Sequence, residues 1–114
     1  FVAHKKEHRH HIVDNVKKYI EMHVTQKLNL NDVAAIYGIS PNYLSSLFKK
    51  YNSCGYSEYI TESKIAEAKR MMQEGNVKIY EVADALGFES AFYFSKVFKK
   101  VEGITPTEYL NRLE

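Results

Sequence analysis

The chain has 114 residues, 45% of them hydrophobic, and its sixteen Lys and Arg against fourteen Asp and Glu give a formal net charge of +2. This is the length of one compact domain, or of two small ones sharing a helix, with enough apolar content for a core. The single cysteine, Cys54, excludes an internal disulfide and fits a reducing cytoplasm, and no apolar run nears the roughly 18 residues of a membrane span.

Residues 1–11, FVAHKKEHRHH, are polar and basic and read as a linker or lead-in. The first residue is Phe rather than Met, so the chain is read as a fragment of a longer protein. His4, His8, His10 and His11 cluster here, and His4 and His8 have the i, i+4 spacing that can share a metal on one helix face. The pattern is not HExxH and no Cys or converging carboxylate pair joins it, so a solvated lead-in without metal is the favoured reading. Residues 9–24 are predicted as the first helix, with Ile12, Val16, Tyr19, Ile20 and His23 at helical spacing on its apolar face. Lys17 and Lys18 fall on the other side, with DNA contact as a secondary role.

Leu28 to Tyr37 is predicted as a helix with Asn29 or Asn31 as its cap, Leu30, Val33, Ala34 and Tyr37 inward, and Gly38 ending it. Ser40-Pro41 opens the next, because Ser is a good N-cap and Pro is preorganised for the first helical position. It runs to about Tyr51, with Leu44, Leu47 and Phe48 inward and Asn42, Ser45, Ser46, Lys49 and Lys50 outward. A loop holding Cys54 and Gly55 leads to a long helix from Ser57 to Glu74, which spans about 27 Å. Lys64, Lys69 and Arg70 on it are candidates to face DNA, among the acids Glu58, Glu62 and Glu67. Ile79 to Leu86 is the next helix, Gly87-Phe88-Glu89 the turn, and Ser90 the cap of a helix from Ala91 to Val101. Tyr93 or Phe94, with Val97 and Phe98, packs inward there, leaving Ala91, Phe92, Ser95, Lys96, Lys99 and Lys100 outward. Phe92 is balanced between an exposed ring meeting a thymine methyl and a ring turned inward. Residues 106–113 form a last short helix in which Tyr109, Leu110 and Leu113 pack back.

The chain is organised around a stretch that occurs twice. YLSSLFKK at 43–50 returns as YFSKVFKK at 93–100, and Glu58-Tyr59 returns as Glu108-Tyr109 at the same offset of 50. Each copy is preceded by a short helical pattern with a small residue (Ala34, Ala83), then Gly38 or Gly87, then an apolar corner. Two helices joined by a tight turn are written this way, the helix-turn-helix of DNA readers. The Phe-Lys-Lys offset is 50 and the Ala offset is 49, so the second turn is one residue longer. An isolated lysine pair is ordinarily solvated charge; recurrence of Lys49-Lys50 as Lys99-Lys100 points to phosphate contacts. The organisation predicted is a first helix-turn-helix subdomain at 12–56, a connecting helix at 57–74 and a second subdomain at 75–114.

GISPNYLSSLFKK, SEYI, and VADALGFES followed by YFSKVFKKVEGITPTEYL strongly resemble the DNA-binding domain of AraC/XylS-type bacterial transcription regulators, over about residues 10–112. The resemblance implies an all-α fold of about seven helices, with two helix-turn-helix subdomains joined by a long central helix. It implies two recognition helices in successive major grooves of promoter DNA and activation through RNA polymerase. It also implies a separate sensor or receiver domain elsewhere in the protein, and neither cofactor nor catalysis. Mapped onto this chain, the DNA-binding set is Ser40, Asn42, Ser45, Ser46, Lys49 and Lys50 with Ser90, Ala91, Phe92, Ser95, Lys96, Lys99 and Lys100. Well-known members carry bulky Trp, Gln or Arg at outward positions, and neither reading helix here has an Arg. Ser53 stands where a Gly is common and Lys64 where an Arg is common, which questions how the long helix is anchored. The competing reading is a helical protein-interaction module that keeps the fold and has lost DNA binding. No membrane contact is expected of this segment, and no Ser/His/Asp set, phosphate-cradling Gly loop or acid pair argues for an enzyme.

Overall fold

A computed structural model describes the backbone of residues 2–113 and the side chains of residues 11–113. Among the described residues the chain is all-helical: α1 (Val2–Met22), α2 (Leu30–Ile36), α3 (Pro41–Tyr51), α4 (Tyr56–Glu74), α5 (Ile79–Ala85), α6 (Ala91–Glu102) and α7 (Pro106–Leu113). The expected lead-in at 1–11 is therefore helical from Val2 onward. Nothing between Val2 and Met22 stops a helix, since that stretch holds neither Gly nor Pro. The His4, His8 and His10 side chains lie outside the described residues, and so does the question of a metal between them.

The chain divides into two compact units, residues 1–23 with 28–60, and residues 24–27 with 61–114. The first 5 residues of α4, 56–60, thus belong to the first unit and the rest to the second. In the first unit, Val13, Val16 and Ile20 of α1 pack with Leu28, Val33, Ala34, Leu44, Leu47, Phe48 and Tyr56. Val13 is buried although the helical spacing read from the sequence passed over it. In the second, Ile65, Ala68 and Met72 of α4 pack with Val82, Ala83, Leu86, Phe94 and Phe98. Burying each large side chain contributes about 1.5–3 kcal/mol, and these clusters hold the short helices in place.

The turn that joins each helix pair recurs bond by bond. Gly38 sits at φ +67° and Gly87 at φ +80°, the left-handed region that a glycine enters without penalty. The N–H of Ile39 reaches the Ala34 carbonyl at 3.1 Å and that of Gly38 the Ala35 carbonyl at 3.1 Å. In the second unit Phe88 reaches Ala83 at 3.0 Å and Gly87 reaches Asp84 at 3.1 Å. Both are the paired bonds that close a helix on a C-terminal glycine. Glu89 is the extra residue of the second turn, as the two offsets require.

Candidate nucleic-acid interface

Ser40 and Ser90 start the two candidate reading helices. Ser40 Oγ accepts the Tyr43 N–H at 3.1 Å, and Ser90 Oγ accepts the Tyr93 N–H at 3.0 Å. Each cap satisfies an N–H that the helix leaves unpaired and fixes where the helix begins. Leu44, Leu47 and Phe48 then bury one face of α3, as Phe94 and Phe98 do for α6. This settles the inward ring in favour of Phe94: Tyr93 is 56% exposed. The repeat carried that signal, because it maps Leu44 onto Phe94 and Tyr43 onto Tyr93. Tyr43, 39% exposed, also stands on the surface, and neither tyrosine was in the DNA-binding set read from the sequence.

The remaining face of α3 presents Asn42, Ser46, Lys49 and Lys50 to solvent, with Ser45 half-buried beside them. On α6, Phe92, Lys96, Lys99 and Lys100 are exposed, while Ser95 and Ala91 are half-buried, Ala91 resting against the second core. Phe92 is 71% exposed, which decides its orientation outward. The Lys96 ammonium lies 4.7 Å from the centre of the Phe92 ring, one turn away, so the ring and the charge form one projecting group. Lys99 and Lys100 close α6 where cations suit the helix dipole, and Lys49 and Lys50 do the same for α3. Within each unit the apolar face is spent on the core, and the polar and basic face is left for a partner.

Three cations weighed from the sequence as candidates to face DNA have partners within the protein. Lys64 turns inward and its ammonium donates to the carbonyls of Val24 at 2.6 Å, Gln26 at 2.9 Å and Leu86 at 2.8 Å. Lys69 pairs with Glu102 at 2.9 Å, and Arg70 bonds both Glu67 and Glu74. Acids within a turn, or on a facing helix, neutralise these two before any phosphate arrives. Lys17 lies 5.4 Å from the centre of the Tyr59 ring, while Lys18 is exposed. Beside the start of α6, a recess of about 520 Å³ is walled by Tyr80, Glu81, Asp84, Phe88 and Glu89. Ser90 and Ala91 line it as well, and its carboxylates disfavour a phosphate there. Among the described residues, no cluster of three or more His, Cys, Asp or Glu could hold a metal, and no helix is long and apolar enough to cross a membrane.

A family model described as a helix-turn-helix domain matches residues 33–112, well over half of the chain. The C-terminal domain of AraT, a response regulator from Geobacillus stearothermophilus, superposes with a TM-score of 0.84 at 30% identity, covering 89% of this chain and 84% of that one. A Chromobacterium violaceum transcriptional regulator described as containing an AraC-type DNA-binding domain superposes with a TM-score of 0.83 at 26% identity, covering 90% and 91%. The chain belongs to the AraC/XylS-type family of DNA-binding domains. Domains of this type bind double-stranded DNA in transcription regulators and are not enzymes, and membership disfavours the pure protein-interaction reading. The chain is also 38% identical over 103 residues to the HTH-type transcriptional activator Btr of Bacillus subtilis (strain 168), covering 90% of this chain and 20% of Btr. It spans only part of such relatives' length, 20% of Btr and 35% of the Escherichia coli regulator YijO. Neither α3 nor α6 carries an Arg, so no planar guanidinium on them is available to fork onto a guanine.

Proposed function

We propose that the domain binds promoter DNA in a sequence-specific way, with α3 and α6 each reading one of two successive major grooves. The observation that carries this is the repeated outward strip. In both units a capped helix of 11 or 12 residues ends in two exposed lysines and exposes small polar or aromatic side chains before them. Ser40, Asn42, Ser45 and Ser46 on α3, and Ser90, Ala91, Phe92 and Ser95 on α6, are the base-side surface. Small side chains let the backbone approach the groove floor, and Phe92 fits a thymine methyl. Lys49, Lys50, Lys96, Lys99 and Lys100, with the helix N-termini, hold phosphates. Sequence preference then leans on apolar contact and DNA deformability more than on bidentate hydrogen bonds.

In this reading the domain works in the bacterial cytoplasm as the output of a longer regulator, next to a sensor or receiver domain, and activates transcription through RNA polymerase. The activator named Btr supports that direction of control.

Selection of bound duplexes from a random pool, followed by footprinting, tests the proposal. A protected region covering two major-groove faces is expected; protection of one groove alone refutes two-helix docking. Affinity is expected to fall steeply with salt, and each lysine-to-alanine change to lower the salt slope by about 0.9. Lys49→Ala weakens all duplexes alike. Lys96→Ala also narrows the preference among selected sequences, because it removes the partner of Phe92.

A further inference from the structure

Lys64 is a half-buried ammonium that no carboxylate pairs with among the described residues. Its three protons go instead to three backbone carbonyls from two separate stretches of chain. Val24 and Gln26 precede α2, while Leu86 is the C-cap of α5. All four residues lie in the second unit. Leu86 is fully buried and is followed by Gly87, where a Cβ would come 3.9 Å from the Thr25 carbonyl oxygen. The segment 24–27 thus lies against the turn that launches α6. An ammonium carries three donors and no acceptor, so the site fits its chemistry in full. Charge-assisted bonds of this kind are about twice as strong as neutral ones.

We infer that Lys64 is the positioning residue of the second reading helix: by tying the turn after Leu86 to segment 24–27 and to α4, it sets where α6 starts and how its outward strip is aimed. Burial pulls the lysine pKa below its ordinary value, but only the charged form has a donor for each of the three carbonyls, since a neutral amine keeps two. In the first unit the residue before the turn glycine, Tyr37, donates its hydroxyl to the Asn15 carbonyl of α1 at 3.1 Å. The consequence for DNA rests on the function proposed above; the clamp itself does not.

The test uses the whole 114-residue chain with Lys64→Met, Lys64→Gln and Lys64→Arg. Hydrogen–deuterium exchange on the free protein reads the clamp, and two duplexes read its effect: one selected from a random pool by the wild type, and one of random sequence. In Lys64→Met, exchange at residues 86–88, whose N–H groups bond the Val82, Asp84 and Ala83 carbonyls, is expected to rise about tenfold or more, while residues 40–51 hold their protection. Affinity for the selected duplex is expected to fall about tenfold, and for the random duplex less than about twofold, because phosphate attraction survives a misaimed helix. Lys64→Arg, with five donors, returns both readouts to within about threefold of wild type. Should Lys64→Met not fold, Lys64→Gln, which keeps amide donors, is expected to give the same pattern at smaller amplitude. Unchanged exchange at residues 86–88 overturns the clamp. Equal losses on both duplexes, with 40–51 exposed as well, reduce Lys64 to general stability and overturn its positioning role. A wild type that binds neither duplex refutes the DNA reading alone, and the exchange data still decide the clamp.

Discussion

The two units solve one problem with the same parts and different fastenings. Each has a serine-capped reading helix, a left-handed glycine turn, and a phenylalanine of that helix against a tyrosine of the helix that follows. Phe48 and Tyr59 have ring centres 5.6 Å apart, and so do Phe98 and Tyr109. A lysine lies over each tyrosine, Lys17 at 5.4 Å and Lys69 at 5.9 Å. The fastenings diverge. The first unit relies on phenols: Tyr37 bonds α1, and Tyr56 donates to the Leu28 carbonyl at 2.9 Å. Burial, with Tyr19 and Asp32 nearby, pushes the Tyr56 hydroxyl far above the ordinary tyrosine range, so it remains a donor at any physiological pH. The second unit relies on charge, through Lys64 and the Lys69–Glu102 pair. What recurs is what the helix pair needs to exist; what differs is how each pair is tied to the rest of its unit.

The largest expected effect probes the shared part. Phe48→Ala and Phe98→Ala each remove a fully buried ring and should cost about 3–5 kcal/mol in denaturant unfolding. Site-resolved exchange should show each loss concentrated in its own unit. If either change loosens both equally, the division into two units fails as an energetic description. Next, the fastenings should differ in strength. Lys64→Met is expected to cost about 1.5–3 kcal/mol and Tyr37→Phe about 0.5–1.5 kcal/mol, since bonds from a charged donor outweigh those from a neutral one. Equal values would show that the contrast is one of chemistry only.

Smaller and matched are the caps. Ser40→Ala and Ser90→Ala should each cost about 1 kcal/mol, and a difference beyond about 0.5 kcal/mol would show that the extra residue of the second turn alters the cap. The smallest effect is acid sensitivity of the second unit. The Arg70 guanidinium holds the Glu67 carboxyl below its ordinary pKa, and the Thr105 backbone N–H does the same for Glu108. A carboxyl lowered in the folded state stabilises it above the unfolded pKa of about 4.3, and that contribution disappears as pH falls through the folded value. Protection in the second unit, taken relative to the intrinsic exchange rate at each pH, should therefore fall below about pH 4 and should do so less in Glu67→Gln. A flat response in wild type would remove the carboxylates from the account.

The helices were legible because every device that makes them is local. Caps, a proline at a first turn, glycines after the last turn and apolar spacing lie within a few residues of what they govern. So α3 and α7 carry the bounds read from the sequence, and α6 runs one residue further, to Glu102 before Gly103. The start of α1 was not legible, since its polar residues carry no period and no cap marks the beginning. The outward strips of α3 and α6 could be read from the repeat, but the exposure of Tyr43 and Tyr93 needed the observed register. Lys64 was read the wrong way round for a more general reason. Its carbonyl partners lie 22 to 40 residues away and are backbone, which any residue supplies, so no pattern of residue types announces them.

That the second unit includes residues 24–27 has a practical consequence. A duplicated sequence invites the idea of two cassettes that could be cut apart and recombined. A fragment beginning at residue 61 would keep the Lys64 side chain but leave behind the Val24 and Gln26 carbonyls it holds. The repeat yields two look-alike halves, not two interchangeable pieces.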